Sequence, residues 1–422
     1  MINTNYFKNK KITVVGLARS GIACANLLFS LGAKVKATDN NDSEITRRNA
    51  VKLCSDYIAV EFGKHSSDFI EGSDLVVVSP GVSNDSFSIQ FAQKNNIPIV
   101  SEIEIASILC PAPIIAVTGS NGKTTVTTLI SRVINASGMK AYACGNIGNP
   151  FCGEIQKLLA KDYVVLEVSS FQLERIKSFK PKIAVILNFN RNHLDRHKDM
   201  EEYLTAKKRI FLNQDKNDFL VLNGLDPALK NISSESKSKV IFFNQLPGLN
   251  PNQAAVFTVA SILGIKDDIV SKTFQDFKGL EHRMEFVAEI KEVSFINDSK
   301  ATTADSAAWA LENINRPVFL IAGGKDKGVD YAKILESRQK IKEVILIGEA
   351  KNKIRQALGE TLSFREVDSL SSAVRLAFSK AKAGDCVLLS PMCASFDMFK
   401  DYEERGRIFK EVVEALKKEN GT

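Results

Sequence analysis

The chain has 422 residues, of which 44% are hydrophobic and 25% are charged, and its formal net charge is +7. At about 150 residues per domain, this length excludes a single small domain and indicates two or three. The composition is that of a folded globular protein rather than a disordered or fibrous one. Because the positive charge is mild and is not gathered into a basic block, it favours a small anionic ligand over nucleic acid.

Seven cysteines are scattered along the chain without a C-x-x-C pair. This spacing argues against a disulfide framework and against a zinc ribbon, so we expect reduced, mostly buried thiols. No apolar run approaches the roughly 18 residues that a membrane span needs, and no apolar leader precedes the first strand pattern. We therefore predict a cytoplasmic protein without a membrane partner.

The first hundred residues alternate between strand and helix patterns. Residues 11–39 predict a βαβ unit with a short β-branched run, a glycine turn, a helix with apolar residues at helical spacing, and a second strand that ends at Asp39. Two further strands are predicted from Asp74 and from Ile97. Together these elements predict a doubly wound α/β layer over residues 1–101.

The glycine turn of this unit lies where a dinucleotide-binding fingerprint would stand, with Gly16, Gly21 and, about 20 residues further on, Asp39. Ala18 replaces the middle glycine, and its methyl group would face the pyrophosphate of a nicotinamide cofactor. An NAD site, a plain tight turn and a site for another nucleotide-like ligand all remain open. In the last case, helix N-terminal N–H groups receive a diphosphate and Asp39 accepts a hydrogen bond from a ribose or base.

The pattern restarts after Pro113 with an apolar strand, the loop TGSNGKTT at 118–125 and a helix, which indicates a new domain. A phosphate chain needs backbone N–H donors, a lysine for the outer phosphates and a hydroxyl for Mg²⁺, and this loop offers all three. Val117 stands where the strict P-loop has its first glycine. A glycine-rich turn with an incidental lysine is the alternative, but the flanking strand and helix favour phosphate binding.

Two further features follow predicted strands of the same domain. Glu167 ends the strand pattern YVVLEVSS, so its carboxylate is either a ligand for Mg²⁺ or a solvated rim residue. His193 and His197 follow the strand pattern IAVILNF at the spacing of a zinc pair, but no third ligand accompanies them. A hydrogen-bonded structural role and a role beside a hard metal or phosphate are the other interpretations of these histidines.

A third series of strands and helices completes the chain, and three motifs each follow an apolar strand in it. The motifs are NDSKAT at 297–302, GGKDK at 323–327 and SPMCASFD at 390–397. Each alone is explained by a capped helix start. Because parallel strands end at one edge of a sheet, we expect the three motifs to lie together there, and their lysines and hydroxyls predict a pocket for an acidic substrate.

The stretches TGSNGKTT, LEVSSFQLE, NHLDRH, YLTAK, EHRME, INDSKAT and LLSPMCASFD, taken in this order, cover nearly the whole chain. Through them the sequence resembles the Mur ligases. The resemblance implies an α/β protein with three tandem domains. They are a Rossmann-like domain for a UDP substrate at 1–101, a central P-loop ATPase domain at 102–279 and a Rossmann-like domain for an amino acid at 280–422.

The motifs DSKAT and SPMCASFD resemble those of the family member that adds D-glutamate to UDP-N-acetylmuramoyl-L-alanine in peptidoglycan precursor synthesis. The implied reaction uses ATP and passes through an acyl phosphate and a tetrahedral intermediate. The implied cofactors are two Mg²⁺ ions and a carbamylated Lys207, in a monomer. A different Mur ligase, a folylpolyglutamate-type ligase and a non-catalytic nucleotide-binding relative are the alternatives, and for Lys207 the alternative is a solvated surface lysine.

The resemblance also assigns roles to individual residues. It implies ATP binding by Gly119, Ser120, Asn121, Gly122, Lys123, Thr124, Thr125, Arg283 and Asp298. It implies UDP-substrate binding by Arg19, Ser20, Asp39, Ser79 and Asn146. It implies D-glutamate binding by Lys300, Thr302, Lys327, Ser395, Phe396 and Tyr402. It implies catalytic roles for Lys123, Glu167, His193 and Lys207, and metal binding by Thr124, Glu167, His193 and Lys207.

One segment departs from the family pattern. Residues 240–257 run almost directly from a strand to a helix, where the family has a longer stretch with a His-Asn motif that contacts adenine. Asn252 is the substitute that we predict for this contact, and Asn250 is the alternative.

Overall fold

The computed structural model describes residues 4–190, 197–244, 246–326 and 328–421, and three β-sheets organise them. The chain divides into two units, Met1–Phe277 and Lys278–Thr422. The first two sheets belong to the first unit and the third sheet belongs to the second. This α/β architecture agrees with the fold class that the sequence predicts.

The first sheet is parallel and contains the predicted βαβ unit. Its strands are β1 (Lys11–Val15), β2 (Lys34–Asp39), β3 (Ala59–Phe62), β4 (Leu75–Val78) and β5 (Ile99–Ser101). The helices of this part of the chain are α1 (Arg19–Ser30), α2 (Glu44–Ala50), α3 (Ser67–Ile70), α4 (Phe87–Lys94) and α5 (Glu102–Leu109). The strand order is β3-β2-β1-β4-β5. The order reverses between β1 and β4, and such a reversal opens a ligand crevice beyond the carboxyl ends of the strands.

The second sheet is also parallel. Its strands are β6 (Ile114–Thr118), β7 (Ala141–Gly145), β8 (Tyr163–Glu167), β9 (Ile183–Ile186), β10 (Phe219–Asn223) and β11 (Lys239–Phe243). The accompanying helices are α6 (Lys123–Ala136), α7 (Ser170–Glu174), α8 (Met200–Lys208), α9 (Pro227–Ile232), α10 (Pro251–Ile262) and α11 (Asp267–Asp276). The strand order is β11-β10-β9-β6-β8-β7, which puts β6 between β9 and β8. The loop after β6 is therefore at the centre of the carboxyl edge.

The third sheet mixes parallel and antiparallel pairing. Its strands are β12 (Glu285–Ile290), β13 (Val293–Asn297), β14 (Val318–Gly323), β15 (Ile341–Ile347), β16 (Phe364–Glu366) and β17 (Cys386–Leu389). Its helices are α12 (Ala304–Glu312), α13 (Lys351–Leu358), α14 (Leu370–Lys380) and α15 (Tyr402–Glu419). The order is β12-β13-β17-β14-β15-β16, and only the β12 pairing is antiparallel among the strands described. Because β13, β17 and β14 are parallel neighbours, the predicted gathering of three motifs at one edge is confirmed.

The central strands are buried because parallel sheets carry helices on both faces. Every residue of β6, β9 and β17 is buried, and these strands are correspondingly apolar. All seven cysteines are free thiols, and five of them are buried, as predicted. Among the described residues, no helix has both the length and the apolar character that crossing a membrane requires.

Candidate active site

The glycine turn after β1 lies at the point where the first sheet reverses its strand order. Gly16 has a φ of +97°, and a Cβ on Gly21 would collide with the Gly16 carbonyl oxygen. A Cβ on Gly16 would lie 2.8 Å from the Cβ of Ser79, the residue after β4. Glycine is needed at both positions for this packing. Ser79 thereby reaches the turn, and its Oγ donates to the Gly16 carbonyl oxygen at 3.2 Å.

Asp39 at the end of β2 holds the same turn. Its Oδ2 accepts from the Leu17 N–H at 2.7 Å, and its Oδ1 accepts from the Asn41 N–H at 2.9 Å. The sequence predicted an acceptor for a ribose or base and missed this structural role. Arg19 and Ser20 begin α1 at the turn, and Ala18 at the N-cap has no polar side chain to cap the helix. The N–H groups of the first helical turn therefore suit an anionic ligand.

A small cleft opens beside Ser79 within the first unit. It is lined by Val78, Ser79, Pro80, Val82, Asn84, Ile89, Ser101, Phe171, Gln172, Glu174 and Arg175. Asn84 donates to Glu174 at 3.0 Å and accepts from Arg175 at 2.7 Å. No sequence pattern indicates this polar cluster, because Asn84 is about 90 residues from Glu174 and Arg175 along the chain.

Lys123 begins α6, directly after the glycine-rich loop that follows β6. Its Nζ donates to the carbonyl oxygens of Gly119 at 2.8 Å and Ser120 at 3.0 Å. The ammonium group thus lies over its own loop. Phosphate oxygens are stronger acceptors than carbonyl oxygens for an ammonium group, so this lysine is suitably placed to exchange the carbonyls for a phosphate. Thr124, the predicted hydroxyl ligand of Mg²⁺, follows it and is buried.

Two asparagines after β9 form hydrogen bonds to the same loop, and no motif in the sequence indicates this role. The Asn188 side chain accepts from the Asn121 N–H at 2.9 Å and donates to the Asn121 carbonyl oxygen at 3.2 Å. The Ser120 Oγ donates to the Asn190 carbonyl oxygen at 3.0 Å and accepts from the Asn190 N–H at 2.9 Å. The loop is therefore held in shape by β9 as well as by β6.

The predicted adenine contact lies next to this loop. A Cβ on Gly122 would collide with the side-chain amide of Asn252, which is in the first turn of α10. Asn250 instead caps α10, because its side chain accepts from the Gln253 N–H at 3.0 Å while the Gln253 side chain accepts from the Asn250 N–H. This capping box accounts for Asn250, so Asn252 is the better candidate.

Glu167 at the end of β8 is buried, so the interpretation as a solvated rim residue is wrong. It pairs in register with Val117, at the start of the phosphate loop. Its Oε1 accepts from the Asn146 side-chain amide at 2.8 Å. Its Oε2 is buried and has no hydrogen-bond partner among the described residues. A buried carboxylate oxygen without a partner is costly unless a cation or a donor is bound to it.

Lys207 in α8 is 1% exposed, so the interpretation as a surface lysine is also wrong. Its Nζ donates to the Gly119 carbonyl oxygen at 2.9 Å and to the Thr118 Oγ1 at 3.5 Å. Burial, together with the nearby positive charge of Lys123, lowers the pKa of the Lys207 amine well below its ordinary value. The fold thus favours a neutral amine at this position.

The histidine pair is only partly described. His197 is buried. Its Nε2 forms a hydrogen bond of 2.9 Å with the Ser170 Oγ, and its ring stacks on Phe171 at a centroid distance of 5.1 Å. These contacts support the hydrogen-bonded structural role for His197. His193 lies outside the described residues. Within the described part of the chain, no group of three or more His, Cys, Asp and Glu side chains is arranged to hold a metal ion.

In the second unit, Asp298 follows β13 and is buried. Its Oδ1 accepts from the Met284 N–H at 3.2 Å, and its Oδ2 accepts from the Ser390 Oγ at 3.0 Å. Burial raises the pKa of Asp298 to about 7, while the Ser390 hydrogen bond and the charge of Arg283 act in the opposite direction. The two predicted ATP-binding residues of this unit, Arg283 and Asp298, are therefore neighbours.

The predicted amino-acid-binding residues lie on the loops after β13 and β17 and at the start of α15. The Lys300 ammonium lies 5.7 Å from the centroid of the Tyr402 ring. Ser395 is buried, whereas Phe396 is half exposed and Thr302 is half-buried. Lys327 lies outside the described residues. The described members thus gather at one edge of the third sheet.

Models of three protein families match this chain in succession. They are the Mur ligase MurD-like N-terminal domain over residues 10–101, the Mur ligase middle domain over residues 117–261, and the Mur ligase glutamate ligase domain over residues 282–393. These three matches follow the order of the three sheets.

Curated relatives match over nearly the full length. The UDP-N-acetylmuramoylalanine–D-glutamate ligase of Thermoanaerobacter pseudethanolicus is 41% identical, over 97% of this chain and 99% of the relative. The enzyme of the same name from Geotalea daltonii is 40% identical, over 97% of this chain and 98% of the relative.

Solved structures share the fold at lower identity. The UDP-N-acetylmuramate-alanine ligase of Thermotoga maritima superposes with a TM-score of 0.62 at 19% identity, over 97% of this chain and all of that one. The MurF ligase of the same organism, in complex with ADP, has a TM-score of 0.57 at 15% identity, over 99% of this chain and 98% of that one.

Proposed function

Because this chain belongs to the Mur ligase family, we propose that it is the ATP-dependent ligase that joins D-glutamate to UDP-N-acetylmuramoyl-L-alanine. Relatives of about 40% identity over nearly the whole chain carry the name of this activity. The observation that carries the proposal is the junction of Lys123, Lys207 and Glu167 around the loop after β6, because these groups suit phosphoryl transfer.

We assign one substrate to each predicted domain. Residues 1–101 would bind the UDP substrate at the glycine turn, residues 102–279 would bind ATP, and residues 280–422 would bind D-glutamate. The conformation of the first turn supports this division, since uncapped N–H groups beside Ser79 suit a diphosphate. The protein would act as a cytoplasmic monomer on these small molecules, without nucleic acid.

In the first chemical step, the terminal phosphoryl group of ATP would pass to the alanine carboxylate of the UDP substrate and form an acyl phosphate. Both reactants are anions, so the step needs positive charge and fixed N–H donors. Lys123 would give up its loop carbonyls to contact the outer phosphates. Asn188 would keep the loop in the shape that presents its N–H groups, because it holds the Asn121 backbone on both sides.

The residues around the loop fit the Mg²⁺ ions that the family resemblance implies. The buried Glu167 Oε2 has no partner among the described residues, and Mg²⁺ prefers such oxygen ligands. Thr124, a carbamylated Lys207 and His193, which lies outside the described residues, would complete the set. Bound Mg²⁺ would supply charge neutralisation for the phosphates.

In the second step, the amine of D-glutamate would attack the acyl phosphate, and the tetrahedral intermediate would expel phosphate and leave an amide. The chain's part in this step is to bind the two carboxylates of D-glutamate and orient the amine. Lys300 carries a positive charge near Tyr402, and Ser395 offers a buried hydroxyl on the neighbouring loop. These groups suit an acidic amino acid.

Release of ADP tests the proposal directly. We expect ADP release in the presence of UDP-N-acetylmuramoyl-L-alanine to require D-glutamate, and to fail with L-alanine, L-lysine or meso-diaminopimelate. Turnover with another of these amino acids would identify a different Mur ligase. Turnover with a folate substrate would identify a folylpolyglutamate-type ligase, and ATP binding without any turnover would identify a non-catalytic relative.

Lys327 gives a second prediction from the sequence. If its ammonium contacts a carboxylate of D-glutamate, Lys327→Ala should raise the KM for D-glutamate much more than the KM for ATP. Steady-state kinetics with each substrate varied in turn would measure both. The matched control is Lys333→Ala, which removes an exposed lysine paired with Asp305 and should change neither value. Equal changes in both KM values would remove Lys327 from the amino-acid pocket.

A further inference from the structure

Arg405 in α15 is completely buried, and none of the substrate-binding or catalytic roles described above involves it. Among the described residues, no carboxylate lies within ion-pair distance of its guanidinium group. Burial lowers the pKa of Arg405 to about 10. Buried arginines are rare and costly unless their donors are satisfied, so the acceptors of this guanidinium group indicate what it does.

Two of its hydrogen bonds go to the loop after β13. Nε donates to the Ser299 Oγ at 3.0 Å, and Nη2 donates to the Ser299 carbonyl oxygen at 2.8 Å. Ser299 immediately precedes Lys300, the predicted ligand of a D-glutamate carboxylate. The Ser299 Oγ also donates to the Tyr402 carbonyl oxygen at 2.8 Å. Arg405 therefore fixes the backbone that carries Lys300 and links it to the start of its own helix.

The remaining hydrogen bonds go to the loop after β17. Nη1 and Nη2 both donate to the Cys393 carbonyl oxygen at 3.2 Å, and Nη1 also donates to the Ala394 carbonyl oxygen at 3.4 Å. The next residue is Ser395, which is buried and is predicted to bind D-glutamate. One planar guanidinium group thus joins the two loops that carry the predicted amino-acid ligands.

The loop after β14 packs against the same group. A Cβ on Gly324 would lie 3.2 Å from the Arg405 Nη1 and would collide with the Ala394 carbonyl oxygen. The Lys325 N–H donates to that carbonyl oxygen at 2.9 Å. All three motif-bearing loops of the third sheet therefore meet around Arg405.

We propose that Arg405 is a positioning residue for the amino-acid site, and that it holds the loops after β13 and β17 in the register that D-glutamate binding needs. The inference rests on the proposed function, because it takes these loops to bind D-glutamate. A guanidinium group presents several donors in a rigid fork, and a lysine ammonium cannot reach the same acceptors on both loops at once.

The test compares Arg405→Lys with the wild type in steady-state kinetics and in thermal unfolding. Arg405→Lys keeps the charge but loses the fork, and each hydrogen bond from a charged donor is worth about a tenfold factor or more. We expect the KM for D-glutamate to rise about tenfold or more. The KM values for ATP and for the UDP substrate should stay near those of the wild type.

Ser299→Ala is the milder variant. If Arg405→Lys does not fold, the KM of Ser299→Ala for D-glutamate tests the positioning role instead. It removes one acceptor of Arg405 and the bond to Tyr402, so we expect the KM for D-glutamate to rise about fivefold, as for loss of a neutral hydrogen bond. Arg407→Lys is the matched control, because Arg407 is an exposed residue of the same helix beside Glu404 and Glu411. It should leave all three KM values unchanged.

A rise of all KM values together, or a loss of thermal stability with an unchanged KM for D-glutamate, would overturn the positioning role. Failure of the proposed function has a different signature. In that case the wild type itself would release no ADP in response to D-glutamate, whatever residue 405 is.

Discussion

Lys123→Ala is expected to reduce ATP-dependent ligation by about 1,000-fold or more, which is the scale of losing a group that stabilises transition-state charge. Lys123 is the first residue of α6, and its ammonium lies directly over the loop carbonyls. Burial and the charge of Lys123 lower the pKa of Lys207, the other lysine at this loop, so a positive charge on Lys207 is disfavoured where it would have to replace that of Lys123. The rate of ADP release at saturating substrates would measure the loss.

The matched control for this variant is Lys140→Ala, because Lys140 is an exposed lysine of the same unit beyond the other end of α6. It should retain wild-type turnover. Thermal unfolding without ligand would establish that Lys123→Ala is folded. Near-normal turnover of a folded Lys123→Ala enzyme would show that the loop after β6 does not bind the reacting phosphates.

Lys207→Ala is expected to be nearly inactive and to recover in part when a small carboxylate such as acetate is added. An ammonium group beside bound Mg²⁺ would repel the metal, whereas a carbamate offers it oxygen ligands. A carbamate forms from a neutral amine and CO₂. Burial and the charge of Lys123 lower the pKa of Lys207, so the neutral amine is available at a lower pH than for an exposed lysine.

Removal of bicarbonate at mildly acidic pH should therefore depress activity reversibly, since acid protonates the amine and shifts the carbamate equilibrium toward loss of CO₂. A carbon-13 NMR signal from labelled bicarbonate would report the carbamate itself. Lys208→Ala is the control, because the neighbouring Lys208 pairs with Glu235 on the surface side of α8. Turnover independent of bicarbonate, without a carbamate signal, would contradict the prediction.

The strands and their edges could be predicted because burial on both faces of a parallel sheet requires continuous apolar runs. The gathering of three motifs after β13, β14 and β17 follows from strand direction alone. By contrast, the antiparallel pairing of β12 depends on a tight turn at 291–292, where both residues have positive φ values. The polar composition of that turn does not reveal it.

The sequence did not reveal the residues that hold the loops of the site in place. Asn188 and Asp39 act by accepting from backbone N–H groups of loops elsewhere in the chain, and no side-chain pattern records such acceptors. Arg405 stands in a run of charged residues that indicates a solvated helix face, yet it is buried. Glu167 was singled out from its place at the end of a predicted strand and Lys207 from the family resemblance, and the burial of both became evident only from the fold.

The carbonyl oxygen of Gly119 accepts from both Lys123 and Lys207. Two amines that share one acceptor cannot be treated as independent, because removal of either leaves the oxygen entirely to the other. The free-energy effects of the two single substitutions therefore need not sum to that of the double variant, as is usual for residues with a common partner. A double-mutant cycle would measure this interaction, so neither single variant by itself gives the separate contribution of its lysine.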